Sequence, residues 1–444
     1  MRAPRIVPLL ILLLLPTLTW GAVNANVGDQ IELKATHHSG VPLHSAPRGT
    51  DDFQRVSDGA RATVLAIQPG NRWLQIRLAD GREGWIAPKY VARIVTGGGQ
   101  GPGGPGPGGG TGLSPAEEES KVWSSRAGCE EVVQAGGRLA REIPDTLRAG
   151  AWNIRWFPRG CSSGESCPEN ATDLDWLACT VAWMDVDLLA VEEILETPAA
   201  VQAMTQVRGR LDTLTGGSWQ TDLSDCGPPG AQHLGFLWNS RRVTLGDQAD
   251  SCELNGAATP GPSCDACAGN LRPGRYARVR SARNGGADFH IAAVHFDSGK
   301  NDGDYDHRRI ATERISLISS GGTPVLESDG DLVILGDINT MGRDEPPPIS
   351  AAEEISLFDD ELAPAFERLI PQLACSEYFR GEGGLLDHIL VSTAMQEDGP
   401  GARLTGYCAV ARCARIQGPM PAAYERLSDH CPILFEVIDQ DLDD

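Results

Sequence analysis

Polar side chains recur at the ends of apolar, strand-like runs in the C-terminal three quarters of this chain. Glu193 follows the run 187–191, and Asp337 follows the run 331–335. A buried strand has no structural use for a charge at its end, whereas ligand sites of layered sheets gather there. The repeated placement predicts a single site, whose candidate members are Asn153, Glu193, His295, Asp337, Asn339, Asp387, Asp429 and His430.

The residue types of this set indicate its chemistry. Hard oxygen ligands, which suit Mg²⁺, Mn²⁺ or Ca²⁺ better than zinc, are offered by Asn153, Glu193, Asp337, Asn339 and Asp429. His295 and His430 can move protons near neutral pH, and Asp387 can hold one imidazole in a fixed tautomer. The combination favours in-line hydrolysis of a phosphate ester, with a metal stabilising phosphoryl charge and a histidine helping to activate water.

These side chains need a rigid frame, and the region 114–444 supplies alternating elements. Predicted strands are 149–154, 187–191, 234–238, 289–295, 331–335, 386–391 and 432–437, and helical periodicity marks 173–184 and 307–319. Several strands are nearly continuous apolar runs, as in sheets buried between layers. The pattern predicts an α/β layered domain.

The chain is divided by a stretch of almost pure glycine and proline within 97–113, which we interpret as a solvated linker. Residues 26–96 before it form a small module with β-hairpin signals, and the α/β domain, 114–444, follows it. The first 25 residues have the order of a secretory signal: Arg2 and Arg5, a short apolar run, then small residues. An uncleaved anchor is the alternative, but the run is shorter than the roughly 20 residues that span a bilayer. We expect a secreted or periplasmic monomer with no membrane span in the mature chain.

Cysteine usage agrees with export. All 12 cysteines lie at or beyond Cys129, which favours up to six disulfides in an oxidising compartment. Cys264 and Cys267 could instead form half of a zinc site, but no second half appears at finger spacing, so a disulfide is favoured. Sequence does not give the pairing.

The net negative charge of the chain comes entirely from the region after residue 96, because residues 26–96 hold nine basic and seven acidic side chains and are net positive. A passive nucleic-acid binder would be basic, since neutralising phosphates drives its affinity. If the substrate is a phosphate ester, bound cations must offset the field locally. An acidic surface also suits a soluble secreted protein.

The N-terminal module resembles a bacterial SH3-type domain. The resemblance rests on the segments PLHSAP, VSDGARATVLA and RWLQIRLADGREGWIAPKYV. Its most specific part is the ending formed by Gly81, Glu83, Gly84, Trp85, Ile86, Tyr90 and Val91. It implies a small barrel that binds a cell-wall or peptide ligand. Alternatively, Trp73 and Trp85 are simply core and groove residues of a barrel without a ligand.

The C-terminal domain resembles the endonuclease/exonuclease/phosphatase superfamily, whose familiar member is pancreatic deoxyribonuclease. Six motifs occur in the family order, namely Trp152-Asn-Ile154, Asp187–Ile194, Val294-His295, Gly336-Asp-Ile-Asn339, Leu386-Asp-His388 and Ser428–Pro432. The resemblance implies a four-layer α/β sandwich with the site at one edge of two packed sheets. It also implies a magnesium or manganese cofactor.

The resemblance assigns roles residue by residue. Asn153 and Glu193 would bind metal with Asp429 nearby, whereas Asp337 and Asn339 would contact the attacked phosphate or water. His295 and His430 would be the catalytic histidines, with Asp387 supporting His430. A phosphate-binding arginine is expected at Arg272 or Arg275. Two positions depart from the family: Glu192 stands where glutamine is more common, and Gln232 lies near the place of a carboxylate that supports the first histidine.

Three functions follow from these expectations. The first is a secreted nuclease that hydrolyses DNA, with RNA as a further substrate. The second is a phospholipid or sphingomyelin phosphodiesterase, or an inositol-phosphate phosphatase, although the sequence shows no clear exposed aromatic hairpin for a lipid surface. The third is an inactive surface-binding protein, which the intact set of polar residues argues against.

Three other features carry less weight. Asp302, Asp304 and Asp306 fit either a structural calcium loop or, preferably, a solvated acidic turn. We interpret His307 as a surface residue at a helix start. His388 should face away from Asp387 if both lie on one strand, and is therefore placed outside the site.

Overall fold

The computed structural model describes residues 30–33, 41–44, 53–57, 59–68, 73–86, 91–96, 111–143, 145–162, 167, 169–225, 231–257, 271–397, 399 and 401–442. The predicted signal peptide 1–25, most of the predicted linker (97–110), and both Cys264 and Cys267 lie outside the described residues. The chain separates into two compact units that divide near residue 99.

The N-terminal unit is one antiparallel sheet in the order β3-β2-β6-β5-β4-β1-β7. Its strands are β1 Gln30–Leu33, β2 Val41–His44, β3 Phe53–Val56, β4 Arg61–Ile67, β5 Leu74–Leu78, β6 Glu83–Ile86 and β7 Val91–Thr96. In β5, Leu74, Ile76 and Leu78 are buried, and the residues between them are not, so one face covers a small core. The unit is all-β. Its SH3-like identity stays a prediction, and Tyr90 of that motif lies outside the described residues.

Two six-stranded sheets form the centre of the larger unit. The first has the order β10-β11-β9-β8-β23-β22 and the second the order β12-β13-β14-β17-β21-β18. Their strands are β8 Thr146–Phe157, β9 Leu188–Leu195, β10 Trp219–Leu223, β11 Gln232–Asn239, β12 Val243–Ser251, β13 Gly274–Ser281, β14 Asp288–His295, β17 Leu332–Asp337, β18 Phe366–Arg368, β21 Asp387–Ser392, β22 Arg403–Leu404 and β23 Ile433–Ile438. Two small hairpins lie outside them, β15 Ser319–Ser320 with β16 Thr323–Pro324, and β19 Glu377–Phe379 with β20 Glu382–Gly384.

Helices cover the outer faces of both sheets. They are α1 Pro115–Ser124, α2 Arg126–Gln134, α3 Leu174–Met184, α4 Pro198–Thr215, α5 Asp302–Glu313, α6 Val325–Ser328, α7 Ala351–Leu362, α8 Tyr407–Ala411 and α9 Ala422–Arg426, with short 3₁₀ turns at Cys252–Asn255 and Ile315–Leu317. None of the helices among the described residues is long and apolar enough to span a membrane.

Three apolar clusters define four layers. Side chains of α1 to α4 pack on the outer face of the first sheet around Trp152 and Val191. Ala151 and Leu335 belong to a second cluster between the two sheets, and α5, α6 and α7 pack on the outer face of the second sheet around Ile334. The larger unit is therefore a four-layer α/β sandwich, as the six motifs implied.

The acidic segment before His307 is part of a helix. We predicted a helix over 307–319, but α5 begins at Asp302 because Asn301 and Asp304 form a reciprocal capping box. Asp302 and Asp304 occupy its first turn, where carboxylates favourably oppose the helix dipole. This placement favours the acidic-turn interpretation over a calcium loop.

Disulfides hold the larger unit, as predicted. Every cysteine among the described residues is bonded, and the pairs formed between described residues are Cys129–Cys179, Cys161–Cys167, Cys375–Cys413 and Cys408–Cys431. The last two join the segment that carries His430 to the hairpin of β19 and β20. They therefore fix the surroundings of the candidate site.

Candidate active site

Strand alternation turns four predicted residues toward the space between the sheets. Asn153 is two residues beyond the inward-facing Ala151, and His295 is two beyond Ala293. Asp337 and Asp387 lie on inward positions of β17 and β21 in the same way, directly opposite each other. Because β14 runs parallel to β17, His295 also lies opposite Asp337. The four side chains meet at one edge of the sandwich.

Asp337 is at the centre of this cluster. Asn153 Nδ2 donates to Asp337 Oδ2 over 3.1 Å. The Nε2 atoms of His295 and His430 lie 3.5 and 3.7 Å from the same oxygen. Burial and the neighbouring carboxylates raise the pKa of Asp337 to about 7, against the opposing effect of His430. A carboxyl group with this pKa can hold or release a proton near neutral pH.

Asp387 and His430 form a buried carboxylate–imidazole pair. His430 Nδ1 donates to Asp387 Oδ2 over 2.8 Å, and Ser376 Oγ accepts from the Asp387 amide and fixes the start of β21. Burial opposes protonation of His430, but the charges of Asp387 and Asp337 outweigh it and raise the pKa of His430 well above its usual range. Asp387 therefore lies where it can orient His430, as expected.

His295 has the opposite electrostatic character. Burial and the nearby Arg272 lower its pKa well below the usual value. Its Nδ1 has no hydrogen-bond partner in the described part of the chain. Gln232, near the position where the resemblance implied a carboxylate supporting this histidine, accepts a hydrogen bond from Arg272. One charged and one neutral histidine thus face Asp337, a division that suits acid and base roles.

Glu193 and Asn153 form the candidate metal-binding part of the site. Asn153 Nδ2 donates to Glu193 Oε1 over 3.2 Å, and the Trp156 amide donates to Glu193 Oε2 over 2.8 Å. Burial and the charge of Asp429 raise the pKa of Glu193. Glu193 and Asn339 have positive φ angles of 62° and 56°, which are uncommon for these residues and cluster at functional sites.

The donor set fits a hard divalent cation. Carboxylate and amide oxygens dominate it, and ligand atoms of Asp337, Asp387 and His430 lie within 4.8 Å of one another. Burial is the largest cause of the raised pKa values of Glu193 and Asp337, and repulsion from neighbouring carboxylates adds to it. A bound cation would remove that repulsion.

Glu192, which the motif comparison left out of the ligand set, also belongs to the cluster. Its side chain is fully buried opposite Asn153, and neither of its oxygens has a hydrogen-bond partner among the described residues. Burial and the charge of Asp387 raise its pKa well above the usual range. One sequence signal could have indicated this placement. Glu192 continues the alternation of Leu188 and Ala190, the residues of β9 that face the space between the sheets.

The structure separates the two candidate arginines. Arg275 forms a bidentate pair with Asp222 and a further ion pair with Asp250, so its donors are already used. Arg272 is buried, and burial lowers its pKa. The charges of Glu193 and Asp337 act in the opposite direction and partly offset this effect. Arg272 is therefore the one that lies at the cluster.

His388 lies outside the site, on the outer face of β21. Its Nε2 contacts Thr340 Oγ1 at 2.9 Å, and its ring packs near Phe358. Burial lowers its pKa to about 3, so it is neutral. His388 therefore faces away from Asp387, as expected for neighbouring residues on one strand.

The hairpin of β19 and β20 borders the site and was missed. Glu377 is bridged to His430 through the backbone, and the Tyr378 amide donates to Asp429 O over 3.1 Å. Burial raises the pKa of Glu377 to about 8. Phe379 is 65% exposed with the Arg380 guanidinium 5.0 Å from its ring centre. The sequence showed no clear exposed aromatic hairpin, whereas the structure exposes Phe379 at this hairpin next to the buried Tyr378.

Comparison with known proteins gives structural neighbours only. No protein-family model and no curated protein matches the sequence. Among solved structures, an endonuclease/exonuclease/phosphatase from Bacteroides vulgatus is 14% identical, with 66% of this chain and 98% of that chain covered and a TM-score of 0.43. D. rerio TDP2 complexed with single-strand DNA product is also 14% identical, with 66% of this chain and 98% of that chain covered and a TM-score of 0.42. A Bacteroides thetaiotaomicron mannosyl-6-phosphatase is 14% identical, with 66% of this chain and 99% of that chain covered and a TM-score of 0.42. The function proposed below rests on the geometry of the site.

Proposed function

We propose that this chain is a secreted, divalent-metal-dependent phosphodiesterase that acts as a nuclease, with DNA as its main substrate and RNA as a further one. The observation that carries the proposal is the buried Asp387–His430 pair directed at Asp337. Proton-transfer groups and hard oxygen ligands are thus combined at one sheet edge, which suits in-line phosphodiester hydrolysis.

The metal would be held by Asn153 and Glu193, with Asp429 nearby. When bound, Mg²⁺ or Mn²⁺ would stabilise negative charge on the phosphoryl oxygens and offset the acidic field of the domain. The oxygen-rich donor set supports this choice over zinc. Glu192 adds a further carboxylate behind these ligands.

The side chains divide the remaining work. Arg272 would bind the phosphate that is attacked, and the effect of the Glu193 and Asp337 charges on its pKa supports this role. Asp337 and Asn339 orient the water or the phosphate, and neutral His295 can take a proton from the water. Charged His430, oriented by Asp387, can stabilise or protonate the oxygen that leaves.

The direct test is hydrolysis of supercoiled plasmid by the purified mature chain with Mg²⁺ or Mn²⁺. We expect metal-dependent nicking that EDTA and His430→Ala both abolish, while the exposed Arg309→Ala control remains active. No cleavage by folded, metal-supplied protein would reject the nuclease proposal.

A phospholipid or sphingomyelin phosphodiesterase is the second candidate, and the exposed Phe379–Arg380 tip favours it. An aromatic ring beside a cation at the edge of the site would suit a lipid headgroup interface. Release of phosphocholine from sphingomyelin or phosphatidylcholine vesicles tests it. That activity should fall with Phe379→Ala and persist with Val201→Ala, which removes an equally exposed apolar side chain on α4.

The N-terminal unit is proposed to be an SH3-like module that targets the enzyme to a cell-wall or peptide ligand. Trp73 packs edge-on against His44 with ring centres 5.1 Å apart, so an aromatic surface is available. Co-sedimentation of the full chain with insoluble peptidoglycan tests the cell-wall ligand. Loss of that binding in Trp73→Ala would support the proposal, and equal binding would contradict it.

A further inference from the structure

A second carboxylate–histidine pair lies outside the cluster described above. His307 Nδ1 is 2.7 Å from Asp297 Oδ2. Asp297 is 6% exposed, and its other oxygen, Oδ1, has no hydrogen-bond partner among the described residues. The His307 side chain is 34% exposed, so the pair has one buried and one accessible end.

The backbone places this pair at the rim of the candidate active site. Beyond the paired strands β14 and β17, the two segments that follow these strands continue side by side. The Phe296 amide donates to Asp337 O over 2.9 Å, and Asn339 Nδ2 donates to Phe296 O over 3.0 Å. Asp297 is two residues past His295, or about 7 Å along an extended chain. It therefore lies beside Asn339, one step outward from the proposed hydrolytic centre.

Docking of α5 does not require the pair. Arg308 already holds this helix through hydrogen bonds to Asp297 O and Gly299 O and an ion pair with Glu354. A carboxylate that only fastened His307 would be costly, because burying an unpaired oxygen loses its hydration. The accessible ring of His307, held in place by a buried carboxylate, instead indicates a place for a ligand.

The charges around the pair indicate which ligand it would take. Arg272 interacts electrostatically with Asp297 as well as with Glu193 and Asp337. The positive charge of Arg272 therefore acts on both the proposed centre and the second pair. With Nδ1 bound to Asp297, the ring of His307 offers Nε2 to a ligand, and a protonated Nε2 donates to phosphate oxygens.

We propose that His307, oriented by Asp297, binds a second phosphate of the substrate, next to the phosphate that is hydrolysed. The inference rests on the proposed nuclease function and specifies it further. It assigns the site to chains of consecutive phosphodiesters rather than to substrates with a single phosphate. His307 is then a substrate-binding residue and Asp297 a positioning residue.

The test compares two substrates for the full chain with Mg²⁺. One is a single-stranded DNA oligonucleotide, and the other is a dinucleoside monophosphate, which has one phosphodiester and no neighbouring phosphate. His307→Ala should raise KM for the oligonucleotide about tenfold, equivalent to about 1.4 kcal/mol, with kcat retained. For the dinucleoside monophosphate, kcat/KM should stay within about twofold of wild type.

Matched variants complete the design. Asp297→Asn should shift KM in the same direction, and Arg309→Ala, an exposed cation on the same helix, should change neither substrate. Equal losses on both substrates, or an unchanged oligonucleotide KM in both folded variants, would overturn the second-phosphate site. If the wild-type chain cleaves neither nucleic acid, the nuclease function itself fails and this proposal fails with it. Cleavage by wild type with no substrate-dependent effect of His307→Ala rejects the second-phosphate site alone.

Discussion

Glu192 on the first sheet lies directly against Gly336 on the second: a Cβ atom on Gly336 would be 2.9 Å from Glu192 Oε1. The glycine, whose φ is +137°, leaves room for a carboxyl group between the sheets. This contact brings an acid from β9 beside Asp337 and Asp387. The two sheets thus share one buried acidic cluster, which is stable without metal only if some members are protonated.

The pH dependence of stability should reveal this cluster. Because the folded pKa of Glu192 is raised, the native state holds a proton that the unfolded chain releases above its ordinary pKa. In EDTA, the free energy of unfolding should therefore fall as pH rises from about 4.5 toward the raised pKa, by at most about 1.4 kcal/mol per pH unit for this group. Glu192→Gln should flatten that decline in urea titrations. Exposed Glu361→Gln is the control, and equal slopes for both variants would contradict the prediction.

Asp387→Asn should damage turnover more than binding. The amide retains the shape of the carboxylate but neither stabilises charged His430 nor fixes its tautomer. We expect kcat to fall by about 10²–10⁴-fold with a small change in KM. Steady-state kinetics on plasmid or oligonucleotide measures this. Asp359→Asn, which removes a carboxylate paired with Arg368 far from the cluster, should leave kcat unchanged.

The two arginines should respond differently to alanine substitution. Arg272→Ala removes the cation from the cluster, so kcat/KM should fall by about tenfold or more, as for loss of one charge-assisted hydrogen bond. Arg275→Ala leaves Asp222 and Asp250 without their shared cation and should lower the melting temperature instead. Activity per folded molecule should survive Arg275→Ala. The reverse pattern would show that the phosphate-binding arginine is misassigned.

The Cys408–Cys431 disulfide should support both stability and the position of His430. Its loop of 23 residues predicts a loss of about 3 kcal/mol in the free energy of unfolding when both cysteines are replaced by alanine. Because Cys431 adjoins His430, activity should also fall at temperatures where the variant remains folded. The Cys161–Cys167 disulfide closes a much shorter loop, so replacing both of its cysteines by alanine should cost less stability.

Strand-end residues could be predicted from the sequence because strand parity and chain order constrain them. Asp387 and His388 illustrate this: neighbouring positions on a strand face opposite sides, and the structure separates them as expected. The apolar runs predicted an α/β layered domain, and the resemblance to the superfamily implied its four layers. The helix over 173–184 was also nearly correct, because its apolar face and its N-cap at Asp173 are local signals.

Residues whose role depends on contacts across the sandwich could not be predicted. Glu192 is next to the proposed ligand Glu193, but its burial against Gly336 is set by the packing of two sheets. Asp297 and His307 come together because α5 begins five residues earlier than its apolar periodicity suggested. The disulfides Cys375–Cys413 and Cys408–Cys431 near the site could not be predicted either, because no spacing rule supplies their pairing.

The most direct test of the central claim is the rate of plasmid cleavage as a function of Mg²⁺ concentration, compared between wild type and Glu193→Gln. The proposed site predicts a saturable metal dependence for wild type, no cleavage in EDTA, and a requirement for about 10–100-fold more Mg²⁺ in the variant. Cleavage that persists in EDTA, or an identical Mg²⁺ dependence in the variant, would contradict metal-dependent hydrolysis at this cluster.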